Sequence, residues 1–166
     1  MAIQLAYNTD PAVAIEGQLG GNSPAREVVS RLLSTGSVAA GRLVVRDVSD
    51  TTIRLPTSAG DIAATVGATL YDASKPPFAY GAPLWNGTRI PPMVPVLRKG
   101  RVWVIVEENV TQSMNVYVRF AAGAGGTNLG AFRASDDSGT AAQLGSARYA
   151  TSSVAGGLAQ LELNLP

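Results

Sequence analysis

The 166-residue sequence contains no cysteine and no histidine. The absence of cysteine excludes disulfides, thiol nucleophiles and cysteine-ligated metals, and it leaves the redox compartment open. The absence of histidine removes the commonest general base and the commonest metal ligand, so a Ser-His-Asp triad is impossible. An enzyme would need a mechanism built on carboxylates, lysine or tyrosine. We therefore predict a protein that is not an enzyme and has no cofactor and no metal site.

Charged and aromatic residues are also scarce. Only 15% of the residues are charged, against about 25% in a typical soluble domain. This fits either a small glycine-rich β protein or a protein that hides much of its surface in an assembly. The net charge of +1 argues against direct nucleic-acid binding, which normally needs a basic face. No apolar run approaches the roughly 20 residues of a membrane span, and the N-terminus lacks the pattern of a signal peptide.

The strongest secondary-structure signal lies in residues 93–120, which are rich in β-branched and aromatic side chains. We predict one strand on either side of a tight, charged turn, Arg98-Lys99-Gly100-Arg101, and a third strand over 114–120. These three strands would form a meander at the centre of the domain. The turn is the only basic cluster of the sequence. It is either a solvated turn or a contact with an acidic partner surface, so Arg98, Lys99 and Arg101 are candidate contact residues.

Short strands separated by turn signals recur along the rest of the chain, typically every 8–15 residues. Segment 23–33 fits a helix or an extended strand, and we favour the strand because the surrounding sequence is β-like. Further predicted strands lie at 41–48, 51–55, 63–70, 132–134, 146–152 and 158–165. This rhythm predicts an all-β domain, either a jelly roll, a sandwich or a barrel. In the last strand Ala159, Leu161, Leu163 and Leu165 form the predicted apolar face.

Two connections stand out as candidate contact regions. Residues 1–24 are predicted to be an N-terminal strand, with Ile3, Leu5 and Tyr7 alternating, followed by an extended arm; residues 25–166 would be the body. The proline-rich loop 72–92 is unusually long for a compact domain, and such loops often have a binding role. It carries three aromatic side chains that would either cover the core or form an exposed contact patch: Phe78, Tyr80 and Trp85.

No part of the sequence has the pattern of a catalytic or ligand-binding motif. Glu107 and Glu108 are neighbours at a predicted strand end, so their side chains should point to opposite faces. Asp136 and Asp137 lie in a predicted turn, where aspartate is expected for backbone reasons. The glycine-rich segment 121–132 lacks the spacing of a phosphate-binding loop and is better explained as a hairpin loop.

Seven stretches, taken in order, resemble the structural cement proteins of tailed bacteriophages. The resemblance covers nearly the whole chain, and its specificity comes from the succession of the stretches because none is a catalytic motif. They are AIEGQL at 14–19, EVVSR at 27–31, GRLVVR at 41–46, VLRKGRVWV at 96–104, NVYVRF at 115–120, GSARY at 145–149 and LAQL at 158–161. The loop 72–92 is longer and richer in proline than the family pattern leads us to expect.

The resemblance implies a β-rich, jelly-roll-like body that has no enzymatic activity. It also implies a homo-oligomer, a dimer or trimer, that binds the lattice of the major capsid protein on the outside of the virion, after synthesis in the host cytoplasm. The candidate contacts would be the N-terminal arm, the aromatic loop and the basic turn. The alternative is a tail or fibre module in which Tyr80 and Trp85 stack on a host-surface glycan.

Overall fold

A computed structural model describes residues 14–21, 26–73, 85–86 and 92–166. Within these residues the regular structure is almost entirely β, so the predicted all-β class is confirmed, whereas the jelly-roll connectivity stays a prediction. A 3₁₀ helix spans Ala59–Ala64. The strands are β1 (Glu27–Leu33), β2 (Ser37–Val38), β3 (Leu43–Arg46), β4 (Thr52–Arg54), β5 (Thr65–Thr69), β6 (Trp85–Asn86), β7 (Met93–Ile105), β8 (Tyr117–Arg119), β9 (Phe132–Arg133), β10 (Ala141–Gln143), β11 (Ala147–Tyr149) and β12 (Leu158–Asn164).

Five strands close into a barrel. Their order is β1-β4-β3-β5-β7, and β7 pairs again with β1. Strands β12 and β11 extend the same sheet from the second half of β7. A separate three-stranded sheet, β10-β8-β9, and a short β2-β6 pair complete the described pairings. Closure of the barrel removes free sheet edges, and it leaves β11 as the outermost strand of the extension.

Strand β7 is the element on which the other strands are assembled, and it corrects the predicted turn at 98–101. Lys99 pairs with Glu27 of β1 on one side and with Asn164 of β12 on the other. Since both sides of the backbone are taken up by neighbouring strands, the chain continues straight through the basic residues as one strand of 13 residues. Gly100 has a φ of 123°, and a glycine inside a strand marks a local bend rather than a chain reversal here.

Residues 14–20 lie against the second half of β7, in line with β1. Leu19 forms an antiparallel bridge with Val102, and the Gly17 N–H donates to the Trp103 carbonyl at 2.7 Å. The segment is fixed by a buried ion pair in which Glu16 Oε1 lies 3.3 Å from Arg42 Nη2. The described part of the predicted arm is therefore docked on the body. The division into arm and body stays a prediction, because residues 1–13 lie outside the described residues.

The buried apolar side chains form two clusters. One is filled by the five barrel strands and includes Leu33, Ile53 and Val94. The other combines side chains of the small sheet β10-β8-β9 and of the extension with side chains of the barrel strands β3, β5 and β7. It takes in the predicted apolar face of the last strand, Ala159, Leu161, Leu163 and Leu165, all of which are buried, so that prediction is confirmed.

The remaining local predictions have mixed outcomes. Segment 27–33 is extended, as favoured, and β3 with β4 forms the predicted hairpin. The predicted third strand of the meander is wrong in both length and place. It is reduced to Tyr117–Arg119 because a turn occupies residues 112–114, and it pairs with β9 and β10 instead of β7. In the described residues no helix is long and apolar enough to span a membrane.

Candidate functional site

The basic residues predicted as contacts lie along β7 as half-exposed members of ion pairs. Arg98 Nη1 lies 2.8 Å from Glu27 Oε1, and Lys99 Nζ lies 4.0 Å from the other carboxylate oxygen of Glu27. Arg98 also donates a hydrogen bond to the Pro166 carbonyl. One carboxylate thus faces two cations at the beginning of β1, which leaves this part of the surface positive.

A second group of charges crosses three neighbouring strands, and we call Arg101, Glu162 and Arg148 the outer row. The three residues stand directly opposite one another in register on β7, β12 and β11. Arg101 Nε donates to Glu162 Oε2 at 2.8 Å, and Arg148 Nη2 donates to Glu162 Oε1 at 2.7 Å. The hydrogen bond from Arg101, followed by that from Arg148, lowers the pKa of Glu162, so this carboxylate stays charged.

The small sheet holds a very different set of charges, and we call Arg119, Arg133, Glu107 and Asp137 the buried cluster. Arg119 is 0% exposed. Its Nε donates to Glu107 at 2.7 Å and its Nη2 donates to Asp137 at 2.8 Å. The remaining nitrogen, Nη1, donates to the Ala121 carbonyl and to the Thr140 hydroxyl. All three nitrogens of a buried guanidinium are therefore satisfied, as burial of a charge requires.

Arg133 completes the buried cluster from the neighbouring strand. Its Nη1 lies 3.1 Å from Asp137 and 3.4 Å from Glu107. Its Nε lies 3.2 Å from Glu108, whose carboxylate also accepts hydrogen bonds from the backbone N–H groups of Ala134 and Ser135. The prediction that Glu107 and Glu108 diverge is wrong, because β7 ends at Ile105 and the bend that follows aims both carboxylates at one guanidinium.

The buried cluster also organises the glycine-rich loop. The Asp137 carboxylate accepts a hydrogen bond from the Gly125 N–H at 3.1 Å. A Cβ on Gly126 would collide with the carboxylate of Glu107, so a larger residue at that position would push this carboxylate out of its place in the cluster. Sequence reasoning did not identify this cluster. The available signal was the presence of two acidic doublets together with arginines inside short strands, and it does not specify which partners meet.

The other predicted contact residues have a different outcome. Ile3, Leu5, Tyr7, Phe78 and Tyr80 lie outside the described residues. Trp85 is 2% exposed and belongs to the core cluster of the barrel. The packed alternative for the loop 72–92 therefore holds for Trp85, which offers no exposed ring as a contact.

Among the residues that the structure describes, no group of three or more Asp or Glu side chains is placed to hold a metal ion. The charged groups of the site instead meet each other as arginine–carboxylate pairs.

Comparison with known proteins identifies the family of this chain. The model of the family described as "Structural cement protein (E217 gp24/Pam3 gp6)" matches residues 3–164. The chain belongs to this family of phage structural cement proteins. The match spans nearly all of the sequence, and it confirms the predicted resemblance to the phage cement proteins.

A solved structure shares the fold of this cement protein. A chain from "The capsid of Myoviridae Phage XM1" superposes with a TM-score of 0.73 at 17% identity, covering 99% of this chain and 98% of that one. No curated protein matches the sequence. Family membership makes the chain a capsid-associated structural protein of a phage virion.

Proposed function

We propose that this cement protein binds the major capsid protein on the outside of the assembled capsid and stabilises its lattice without enzymatic activity. The observation that carries the proposal is the family match over residues 3–164. The physical mechanism is linkage: a protein that binds the assembled lattice better than free subunits shifts the equilibrium toward assembly. A homo-oligomer, a dimer or trimer, made in the host cytoplasm, would add avidity by contacting several capsid subunits at once.

The fold supports this role because it presents a rigid surface. Pairing of β7 with β1 and with β12 fixes the positions of Arg98, Lys99 and Arg101 before any partner arrives. A preorganised surface loses less conformational entropy on binding than a flexible one. We propose these three residues as part of the contact surface, together with Ile3, Leu5 and Tyr7 of the N-terminal region. Burial of Trp85 gives the glycan-binding alternative no support from that ring.

The test is co-sedimentation of the purified full-length protein with expanded shells of the phage that encodes it, prepared without their own cement protein. We expect saturable binding at a fixed ratio to the major capsid protein, and shells that resist heat or denaturant better when decorated. A well-folded protein that does not sediment with expanded shells would contradict the proposal.

A truncation separates the arm from the body. Removal of residues 1–13 should leave a folded protein, because the docked segment 14–20 keeps its backbone hydrogen bonds and the Glu16–Arg42 ion pair. We expect the truncated protein to bind shells several-fold more weakly, and circular dichroism provides the check on folding. Binding equal to that of the full-length protein would remove the arm from the contact surface.

A further inference from the structure

We propose that the outer row is a clamp for a carboxylate of the capsid lattice, with Arg148 and Arg101 as the binding residues and Glu162 as the residue that positions them. This inference rests on the proposed function and adds the chemistry of the partner. Arg148 was not among the residues singled out from the sequence. It emerges because β11 brings it into register with β12 and β7.

The geometry of the outer row leaves donors free. Glu162 gives one oxygen to Arg101 Nε and the other to Arg148 Nε and Nη2. In the described part of the chain, Arg101 Nη1 and Nη2 and Arg148 Nη1 have no hydrogen-bond acceptor. A guanidinium has five N–H donors in a planar fork that matches a carboxylate. Two arginines therefore share one carboxylate. They retain one net positive charge and enough free N–H donors to bind a second carboxylate.

The surface around the outer row is open to a partner side chain. One depression is lined by Arg101, Gln112, Arg148, Tyr149, Ala150 and Glu162. A second lies on the other side of the same ion pair and is lined by Gly145, Ser146, Ala147, Arg148, Glu162 and Asn164. Arg148 stands between the two depressions on the outermost strand and is 69% exposed. An incoming acidic loop can therefore reach its guanidinium from either side.

The chain's own carboxylates are almost all engaged, which favours a different protein as the source of the ligand. Within the described residues nine acidic side chains form ion pairs: Glu16, Glu27, Asp47, Asp50, Asp61, Glu107, Glu108, Asp137 and Glu162. Asp72 also has an interaction within the chain. Asp136 is exposed and has no ion pair with a described residue. In a second copy of the chain, Asp136 is thus the one described carboxylate without an interaction inside its own chain. We therefore infer that the carboxylate bound by the clamp comes from a capsid subunit.

Charge reversal at Arg148 tests the clamp. The full-length protein, Arg148→Glu and the control Arg46→Glu are titrated onto expanded shells without cement protein at several salt concentrations. Arg46 is a matched control because it is 58% exposed and also pairs with one carboxylate, Asp50, at the β3–β4 hairpin. We expect Arg148→Glu to bind at least about tenfold more weakly, as loss of charge-assisted hydrogen bonds implies, and with a weaker salt dependence. Arg46→Glu should bind within about twofold of the unaltered protein.

Glu162→Gln distinguishes a positioned clamp from a merely basic surface. The substitution makes the surface one charge more positive and releases both arginines from their shared anchor. A basic patch that acts by charge alone would then bind an acidic lattice more tightly. The clamp predicts weaker binding, with faster dissociation from shells. Binding that is unchanged or tighter in Glu162→Gln would overturn the positioning role.

The outcomes separate the clamp from the proposed function. If the unaltered protein binds shells and Arg148→Glu binds equally well, the clamp is wrong and the cement function stands. If the unaltered protein does not bind, the proposed function fails. Sedimentation velocity measures the oligomeric state of Arg148→Glu and Asp136→Asn. If both variants change their oligomeric state but still bind shells, the clamp binds a second copy of the chain instead of the capsid lattice.

Arg148→Lys keeps the charge but lacks the planar fork, so its loss of shell binding should be smaller than that of Arg148→Glu.

Discussion

The buried cluster and the outer row are made of the same side chains, arginine with glutamate or aspartate, but they hold their charges in opposite ways. Arg119 is enclosed, and every one of its nitrogens has an acceptor. Arg148 stands on an outer strand with part of its guanidinium open to solvent. Arg119 needs no further acceptor, and Glu107 Oε1 is the one buried oxygen of the cluster without a donor in the described residues. The arginines of the outer row, by contrast, have donors left over. Saturation of the arginine donors, more than the number of charges, therefore distinguishes this structural group from the proposed binding group.

Burial also determines how large a desolvation penalty the charges of each group carry. Moving charges out of water carries a penalty of several kcal/mol per ion, which only good geometry and full hydrogen bonding offset. Removing one partner from such a group leaves the others buried and uncompensated. An exposed pair loses little when one partner is removed, because water replaces the missing contact. The same substitution should therefore have very different effects in the two groups, and the following experiments measure that difference.

Arg119→Ala is expected to have the largest effect. It leaves Glu107 and Asp137 with Arg133 as their only arginine and opens a cavity in the small sheet. We expect the free energy of unfolding to fall by about 3–5 kcal/mol, as measured by chemical denaturation. Arg148→Ala removes the same side chain from the outer row and should lower it by less than about 1 kcal/mol. Equal losses for the two variants would remove the distinction between the groups.

Acid should weaken the buried cluster through Asp137. The hydrogen bond from Arg119 lowers the pKa of this carboxyl below its ordinary value, which is about 4 for aspartate. A lowered pKa in the folded state contributes stability above the ordinary pKa, and that contribution is lost as the pH falls through the folded value. Asp137→Asn should therefore be less stable than the unaltered protein at neutral pH. The difference in free energy of unfolding between the two proteins should become smaller as the pH falls below about 4.

The matched control for Asp137 is its neighbour. Asp136→Asn changes the same chemical group in the same turn, but Asp136 is exposed and has no ion pair with a described residue. Its stability should follow that of the unaltered protein across the acid range in urea denaturation. A pH profile of Asp137→Asn parallel to that of the unaltered protein would show that the buried cluster does not depend on this carboxylate.

The sequence predicted those parts of the fold that depend on local patterns. The alternation of Ala159, Leu161, Leu163 and Leu165 identified the buried face of β12, because a strand places alternate residues on one face. The turn predicted at Arg98–Arg101 is wrong for the opposite reason, because the conformation there depends on contacts that are distant in sequence. A glycine among charged residues has the local pattern of a turn, and only the pairing of Lys99 with strands on both sides makes the backbone continuous.

The candidate site was predictable only in part, because it depends on register between distant segments. Arg101 was identified from its basic neighbours along the chain. Its partners Glu162 and Arg148 come from β12 and β11, and no local pattern indicates that the three residues stand opposite one another. The buried cluster likewise joins Arg119 to residues 12 and 18 positions away. Charged residues in a sequence show what can pair, whereas the topology of the sheets decides what does.

Glu162→Gln should lower stability only slightly, and it tests whether the outer row contributes to the fold. Both arginines of the outer row lose their shared carboxylate, but each is close to solvent, so we expect the free energy of unfolding to fall by at most about 1 kcal/mol. The loss should shrink further at 1 M salt, where the screening length is only about 3 Å. Denaturation at low and high salt measures both effects. A salt-independent loss as large as that of Arg119→Ala would mean that the outer row supports the fold, and its arginines would then not be free to bind a partner.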